Sequence, residues 1–151
     1  MVVSRITTEL NWFARHPDYL ERTFTRAEPY LHFAVTEAER RGIPLELALL
    51  PVVESAFDPF AFSPARASGL WQFMPATGRL YGLQQDWWHD ERRDVLKATE
   101  AAYTFLEDMH GLFEGDWLLA LAAYNSGSGN VRKAQRRNQR RGKPLDFFSL
   151  D

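Results

Sequence analysis

The 151-residue chain contains no cysteine, which excludes disulfides, thiol nucleophiles and thiolate metal sites. Its histidines, His16, His32, His89 and His110, match no ligand spacing such as HExxH, so neither a metal nor a cofactor is expected. No run reaches the ~18 uncharged apolar residues of a membrane span, and MVVSRITTEL lacks a signal-peptide core. The segment as it stands reads as soluble. No stretch alternates with period two, and there is no repeat or low-complexity tract. What is present is apolar and aromatic: 45% and 14% of the residues, enough for one domain with a substantial core.

Helical periodicity runs almost throughout. Ser4 is placed to cap a first helix ending at His16-Pro17, and Asp18 with Glu21 has the spacing of a capping box. Pro29 is expected to break the next helix near Ala27, with a new one over 28–41 closed by Gly42. Pro44 suits the first turn of a helix running to about Ala56, bent at Pro51. Asp58 to Gly69 is punctuated by Asp58-Pro59 and Ser63-Pro64 and reads as a loop, with room for a small β element before Trp71. A short helix over 75–81 follows. Asp94 and Asp116 can cap helices over 95–110 and 117–125, and Ser126 to Gly129 breaks the chain before a last helix over 130–140. The expected class is all-α.

Charge is segregated. Arg132, Lys133, Arg136, Arg137, Arg140, Arg141 and Lys143 lie together, while all 20 acids lie outside that stretch. Such a stretch is either a footing for a polyanion or a solvated helix face near a C-terminus, where the dipole favours cations. No aromatic is interleaved as single-strand binding would require, and a nucleic acid partner is not expected.

One acid stands where an acid is expensive. In LELALLPVVESAF (45–57) the only charges are Glu46 near the start and Glu54 near the end. Full burial would raise a carboxyl pKa by at most roughly 3–5 units, the environment a general acid needs. The alternative is a head group that turns to solvent. Two further clusters weigh against it: GLWQFMP (69–75) and AAYNSG (122–127) set Gln72, Tyr124 and Asn125 in apolar surroundings, where amides and phenols need partners. Were the three segments to converge, they would form a cleft floor flanked by Trp71, Phe73 and Met74, suited to a neutral sugar. Trp87, Trp88 and Trp117 read as core or groove wall without distinction.

The runs ESAFDPFAFSPARASGLWQFMPATGRLYGL, RRDVLKATEAAYTFL and GDWLLALAAYNSGSGNVRKA closely resemble the catalytic domain of lytic transglycosylases of the soluble-type superfamily. The resemblance runs from about Arg40 to the end and is nearest the membrane-bound lytic murein transglycosylase D branch. It implies a goose-type, lysozyme-like helical domain with a central catalytic cleft, spanning residues 1–151, with 1–42 as N-terminal helices on the core. The substrate implied is the peptidoglycan glycan strand, cleaved without water at the β-1,4 bond between N-acetylmuramic acid and N-acetylglucosamine. Glu54 would serve as acid and then as base, forming a 1,6-anhydromuramoyl end. The substrate's own N-acetyl and C6 hydroxyl groups replace the second carboxylate that ordinary glycosidases carry.

By the same resemblance, Ser55, Gln72, Tyr124, Asn125, Met74 and Trp71 bind substrate. Gln72 and Asn125 are expected as donors to N-acetyl or peptide groups, and Tyr124 as a hydrogen-bond partner of Glu54. Ser55 either orients the site or bonds its own helix end, and Trp71 either narrows a subsite or belongs to the core. Asp58 is read as a turn-former, not a second acid. The resemblance further implies a monomer in the periplasm or cell envelope, outer-membrane anchored in full length, touching membrane only through segments absent here. The family domain is expected to continue past GKPLDFFSL into a helix with a cleft-lining tyrosine, so this end is expected to be truncated. The alternatives are a goose-type lysozyme-like hydrolase and an inactive glycan-binding domain.

Overall fold

The computed structural model describes residues 2–150; Met1 and Asp151, the two ends of the expected domain, lie outside the described residues. Its α-helices are α1 (Val2–Arg15), α2 (Pro17–Arg41), α3 (Leu50–Ser55), α4 (Pro75–Leu80), α5 (Val95–Leu112), α6 (Trp117–Ser126) and α7 (Ser128–Arg140). Short 3₁₀ turns occupy Leu45–Leu49, Glu91–Arg93 and Phe147–Ser149. Among the described residues there is no strand, only isolated antiparallel bridges. One of these, Phe62 to Ser68, falls where a small β element is expected before Trp71, and a second, Ser68 to Phe73, closes around Trp71. The class is all-α, as read from the sequence. The chain divides into two compact units, residues 1–103 and 104–151, with the boundary inside α5.

In the first unit, α1 begins at Val2, ahead of Ser4, so Ser4 is not a cap; its carbonyl accepts the Thr8 hydroxyl at 2.9 Å. The expected capping box also fails. His16 is the N-cap of α2 and Pro17 opens the helix, which leaves Asp18 inside the first turn without a side-chain cap bond. Trp12 stacks on His16 with centroids 4.3 Å apart and meets Tyr19 edge-on at 5.3 Å, closing the corner between α1 and α2.

The break expected at Pro29 does not occur. α2 continues through it to Arg41, although an interior proline costs a helix about 3 kcal/mol. Ala27, Ala34 and Ala38 explain the difference: they share one face and are fully buried, so tertiary packing holds the helix across the missing bond. Gly42 ends it as expected, at φ 69°, a left-handed conformation that glycine adopts without steric cost.

The single bent helix expected over 44–56 is instead a 3₁₀ turn followed by α3. Pro51 falls in the first turn of α3, where a missing N–H leaves no intrahelical bond unmade, so the proline begins a helix instead of bending one. Tyr19 donates its hydroxyl to the Val52 carbonyl at 2.7 Å, and Tyr103 does the same to Ala34. These two phenols fasten α2 to α3 and to α5.

In the second unit, Asp116 caps α6 by accepting the N–H groups of Leu118 and Leu119 at 2.9 and 3.0 Å. Phe113, Leu119, Ala123 and Val131 form its core, with Leu150 packed on it. Only Gly127, at φ 87°, separates α6 from α7, so the last helix starts at Ser128, two residues before the expected position. No helix among the described residues is long and apolar enough to cross a membrane.

Candidate active site

α3 is short and asymmetric. Pro51 and Val52 point into the core, Val53 is exposed, and Glu54 is half-buried between these extremes. Burial pushes the Glu54 carboxyl above the ordinary glutamate value. Within its own unit, among the described residues, no hydrogen bond or ion pair to that carboxylate offsets the lost hydration.

The helix stops directly behind this residue. Ala56 (φ 49°) and Phe57 (φ 53°) are both left-handed, and the Phe57 N–H returns to the Pro51 carbonyl at 3.1 Å. A left-handed residue other than glycine costs roughly 1–2 kcal/mol. The fully buried Phe57 ring holds the turn in place. Because the chain leaves helical geometry here, Asp58 does not share a helix face with Glu54. Its Oδ1 accepts the Phe60 N–H at 2.9 Å, the turn-forming part expected of it.

Ser55 joins two of the clusters singled out in the sequence. Its hydroxyl is 2.8 Å from the Leu70 carbonyl and 3.3 Å from that of Pro51, so the end of α3 is tied to the GLWQFMP segment. The Pro51 contact is the bond to its own helix end expected from the sequence. In that segment Gly69 sits at φ 83°, and a Cβ there would lie 1.8 Å from the Arg92 carbonyl oxygen. Only glycine fits.

Gln72 follows at φ 50° and spends both amide N–H groups on backbone, toward Gly69 O at 2.9 Å and Ala61 O at 3.3 Å. Its carboxamide oxygen is therefore the group better placed to serve a ligand, whereas the sequence suggested the donors. Trp71, expected at a subsite wall or in the core, is fully buried. Its indole N–H donates to Thr99 Oγ1 at 2.9 Å and its ring meets Tyr103 edge-on at 5.3 Å. It is a core residue and not a substrate contact. Met74 is 45% exposed at the N-cap of α4, open to a ligand.

The residue that the sequence did not reveal is Arg92. Only 6% exposed, it forms a two-pronged ion pair with Asp90 at 2.9 and 2.7 Å. The same guanidinium donates to the carbonyls of Arg66 at 2.7 Å and Phe73 at 3.0 Å, which flank the turn carrying Gly69 and Gln72. Burial alone would raise the Asp90 carboxyl, but its bonds to Arg92 win and hold it below the ordinary aspartate value. In the sequence Arg92 is one charge in DERRD, and nothing in that run distinguishes a buried clamp from a solvated face.

Tyr124 and Asn125 belong to the second unit, at the end of α6. Tyr124 is half-buried with its ring 5.1 Å from that of Phe105, and Asn125 is exposed. Trp87 and Trp88 are not core residues, at 88% and 83% exposure. Trp117 stacks on His110 at 3.9 Å. Among the described residues no group of three or more His, Cys, Asp or Glu could hold a metal ion.

The chain is 49% identical over 146 residues to membrane-bound lytic murein transglycosylase D of Escherichia coli, covering 97% of this chain and 32% of that protein. It is 37% identical over 115 residues to peptidoglycan transglycosylase gp16 of Escherichia phage T7, covering 75% of this chain and 8% of that one. Among solved structures, an inactive Glu-to-Gln mutant of lytic transglycosylase Slt from Pseudomonas aeruginosa superposes with a TM-score of 0.58 at 30% identity. That match covers 68% of this chain and 17% of Slt, and it agrees with the all-α, lysozyme-like fold expected. The chain thus spans about a third of the first curated relative's length. Residues 33–147 match the transglycosylase SLT domain, and the chain belongs to that family.

Proposed function

We propose that this chain is a peptidoglycan lytic transglycosylase domain that cleaves the β-1,4 bond from N-acetylmuramic acid to N-acetylglucosamine without water. The observation that carries the reading is Glu54: an acid with a pKa raised by burial, at a helix end tied by Ser55 to the GLWQFMP turn, in a chain of the SLT family. A carboxyl that stays protonated above its ordinary range can donate to the glycosidic oxygen as the C1–O bond breaks. The resulting carboxylate then takes the proton of the muramoyl C6 hydroxyl as that oxygen bonds to C1. The acid is regenerated, and the products are a 1,6-anhydromuramoyl end and a free N-acetylglucosamine hydroxyl. The inactivity of the Glu-to-Gln form of Slt supports one indispensable acid.

Ser55 positions the acid's helix end, Gln72 offers its carboxamide oxygen to an N-acetyl N–H, and Met74 lines the approach. Tyr124 and Asn125 serve as substrate-contacting residues on the second unit. The glycan strand is the partner, the working form is a monomer, and the location is the cell envelope, with any outer-membrane anchorage outside this segment. Mass spectrometry of digested peptidoglycan tests the reaction. Anhydro ends are expected; reducing ends alone would mean a hydrolase, and no cleavage at all would mean a glycan-binding domain.

A further inference from the structure

α7 buries Val131 and Asn138 within its unit. Asn138 also fastens the following segment, donating to the carbonyls of Pro144 at 3.0 Å and Ser149 at 2.7 Å. The rest of the helix surface is basic. Arg132, Lys133, Arg136, Arg137, Arg140 and the capping Arg141 are all exposed, and exposed Lys143 follows. Their spacing of one and four residues gathers the first six within about half the helix circumference.

Folding does not account for this face. Like charges four apart, as at 132/136, 133/137, 136/140 and 137/141, destabilise a helix. The dipole favours cations only in the last turn, which explains Arg137 and Arg140 and leaves Arg132 and Lys133 unexplained. No acid interrupts the stretch from 132 to 143. An anionic ligand would offset the repulsion among Arg132, Lys133, Arg136 and Arg140.

The geometry points to a second binding site: the basic face of α7 binds the carboxylates of the peptide stems that peptidoglycan carries on its glycan strand. This rests on peptidoglycan being the substrate, and it assigns to a second surface the anionic part of a polymer whose sugar backbone is neutral. Carboxylate is the ligand chemistry that the face fits. Five of its seven bases are arginines, whose planar fork pairs carboxylates two-pronged. No aromatic stands between 132 and 143 to enter a lipid interface or to stack a base.

The test compares the wild-type chain with an Arg132→Gln, Arg136→Gln, Arg140→Gln variant in co-sedimentation with purified sacculi, untreated or with their stem carboxylates amidated by carbodiimide coupling. Removing three exposed cations is expected to weaken binding to untreated sacculi roughly tenfold. Binding to amidated sacculi should be weak and equal in the two proteins, and the difference on untreated sacculi should shrink at high salt. Arg→Lys at the same three positions keeps the charge and should restore most of the affinity, and circular dichroism should show the helix intact in both variants. Equal binding of wild type and Gln variant to untreated sacculi would overturn the proposal, as would an equal loss on amidated sacculi. Stronger retention on phosphatidylglycerol vesicles than on sacculi, lost in the Gln variant, would reassign the face to lipid and also overturn it. Turnover of amidated sacculi reads the catalytic proposal separately: its absence in the wild type, with the binding difference intact, would sink that reading and support this one.

Discussion

Glu37 and Glu54 are two helix-borne carboxylates of the same unit, and their surroundings drive them in opposite directions. Glu37 lies on α2, buried, with Arg40 donating to both its oxygens at 2.9 and 2.6 Å and Arg41 donating at 2.6 Å. The bond from Arg40 leads in outweighing desolvation, and the carboxyl is held down at about 2. Glu54 is only half-buried, has no such partner among the described residues of its unit, and is pushed up. Depth of burial does not separate a structural acid from a candidate catalytic one. Compensation does: Asp90, paired with Arg92, falls on the side of Glu37.

The contrast can be broken in several ways. Truncating a compensating partner should have the largest effect on the fold. Arg92→Met leaves Asp90 and two carbonyls unpaired, and loss of one member of a buried ion pair costs about 3–5 kcal/mol. A large fall in melting temperature is expected, and Arg92→Lys should recover only part of it, because an ammonium cannot make the two-pronged pair and reach both carbonyls.

Removing the uncompensated acid should do the reverse. Glu54→Gln is expected to lower turnover of peptidoglycan by ~10² or more, with melting temperature unchanged or raised, since a desolvated carboxyl gives way to a neutral amide. A variant that kept wild-type turnover would remove Glu54 from the reaction.

Glu37→Gln should show the opposite split, with turnover retained and stability reduced by roughly 1–2 kcal/mol at neutral pH. The sign follows from linkage. A carboxyl lowered in the folded state stabilises above its unfolded value, near 4.5, and that contribution is lost as pH falls toward about 2. Wild type and variant should therefore converge in melting temperature across that window.

The smallest effect concerns the turn behind Glu54. Ala56→Gly relieves one left-handed alanine and should raise stability by about 1 kcal/mol. A loss of stability with turnover intact would mean that chain entropy outweighs the strain.

Much of this architecture was legible in the sequence where the signal is local. Asp94 accepts the Lys97 N–H and Asp116 accepts those of Leu118 and Leu119, and Gly42 and Gly127 end helices, because caps and left-handed glycines act over a few residues. The helix through Pro29 is not legible in the sequence, because the buried alanine face that overrides the proline is set by packing, which periodicity alone does not weigh. Within the site, Glu54 was legible from its apolar context. The link from Ser55 to Leu70 spans fifteen residues and the Arg92 bonds reach nineteen and twenty-six residues away, so no local pattern encodes them. Trp71 was ambiguous because a ring beside a polar cluster can face either way until Thr99 and Tyr103 are seen to enclose it.

The most direct test is a carbon-detected NMR titration of the two glutamate carboxyls, assigned by Glu37→Gln and Glu54→Gln. The account predicts that they straddle the ordinary glutamate value, Glu37 well below it near 2 and Glu54 above it. A Glu54 carboxyl titrating at or below the ordinary value would contradict the claim that uncompensated burial keeps this acid protonated for its work.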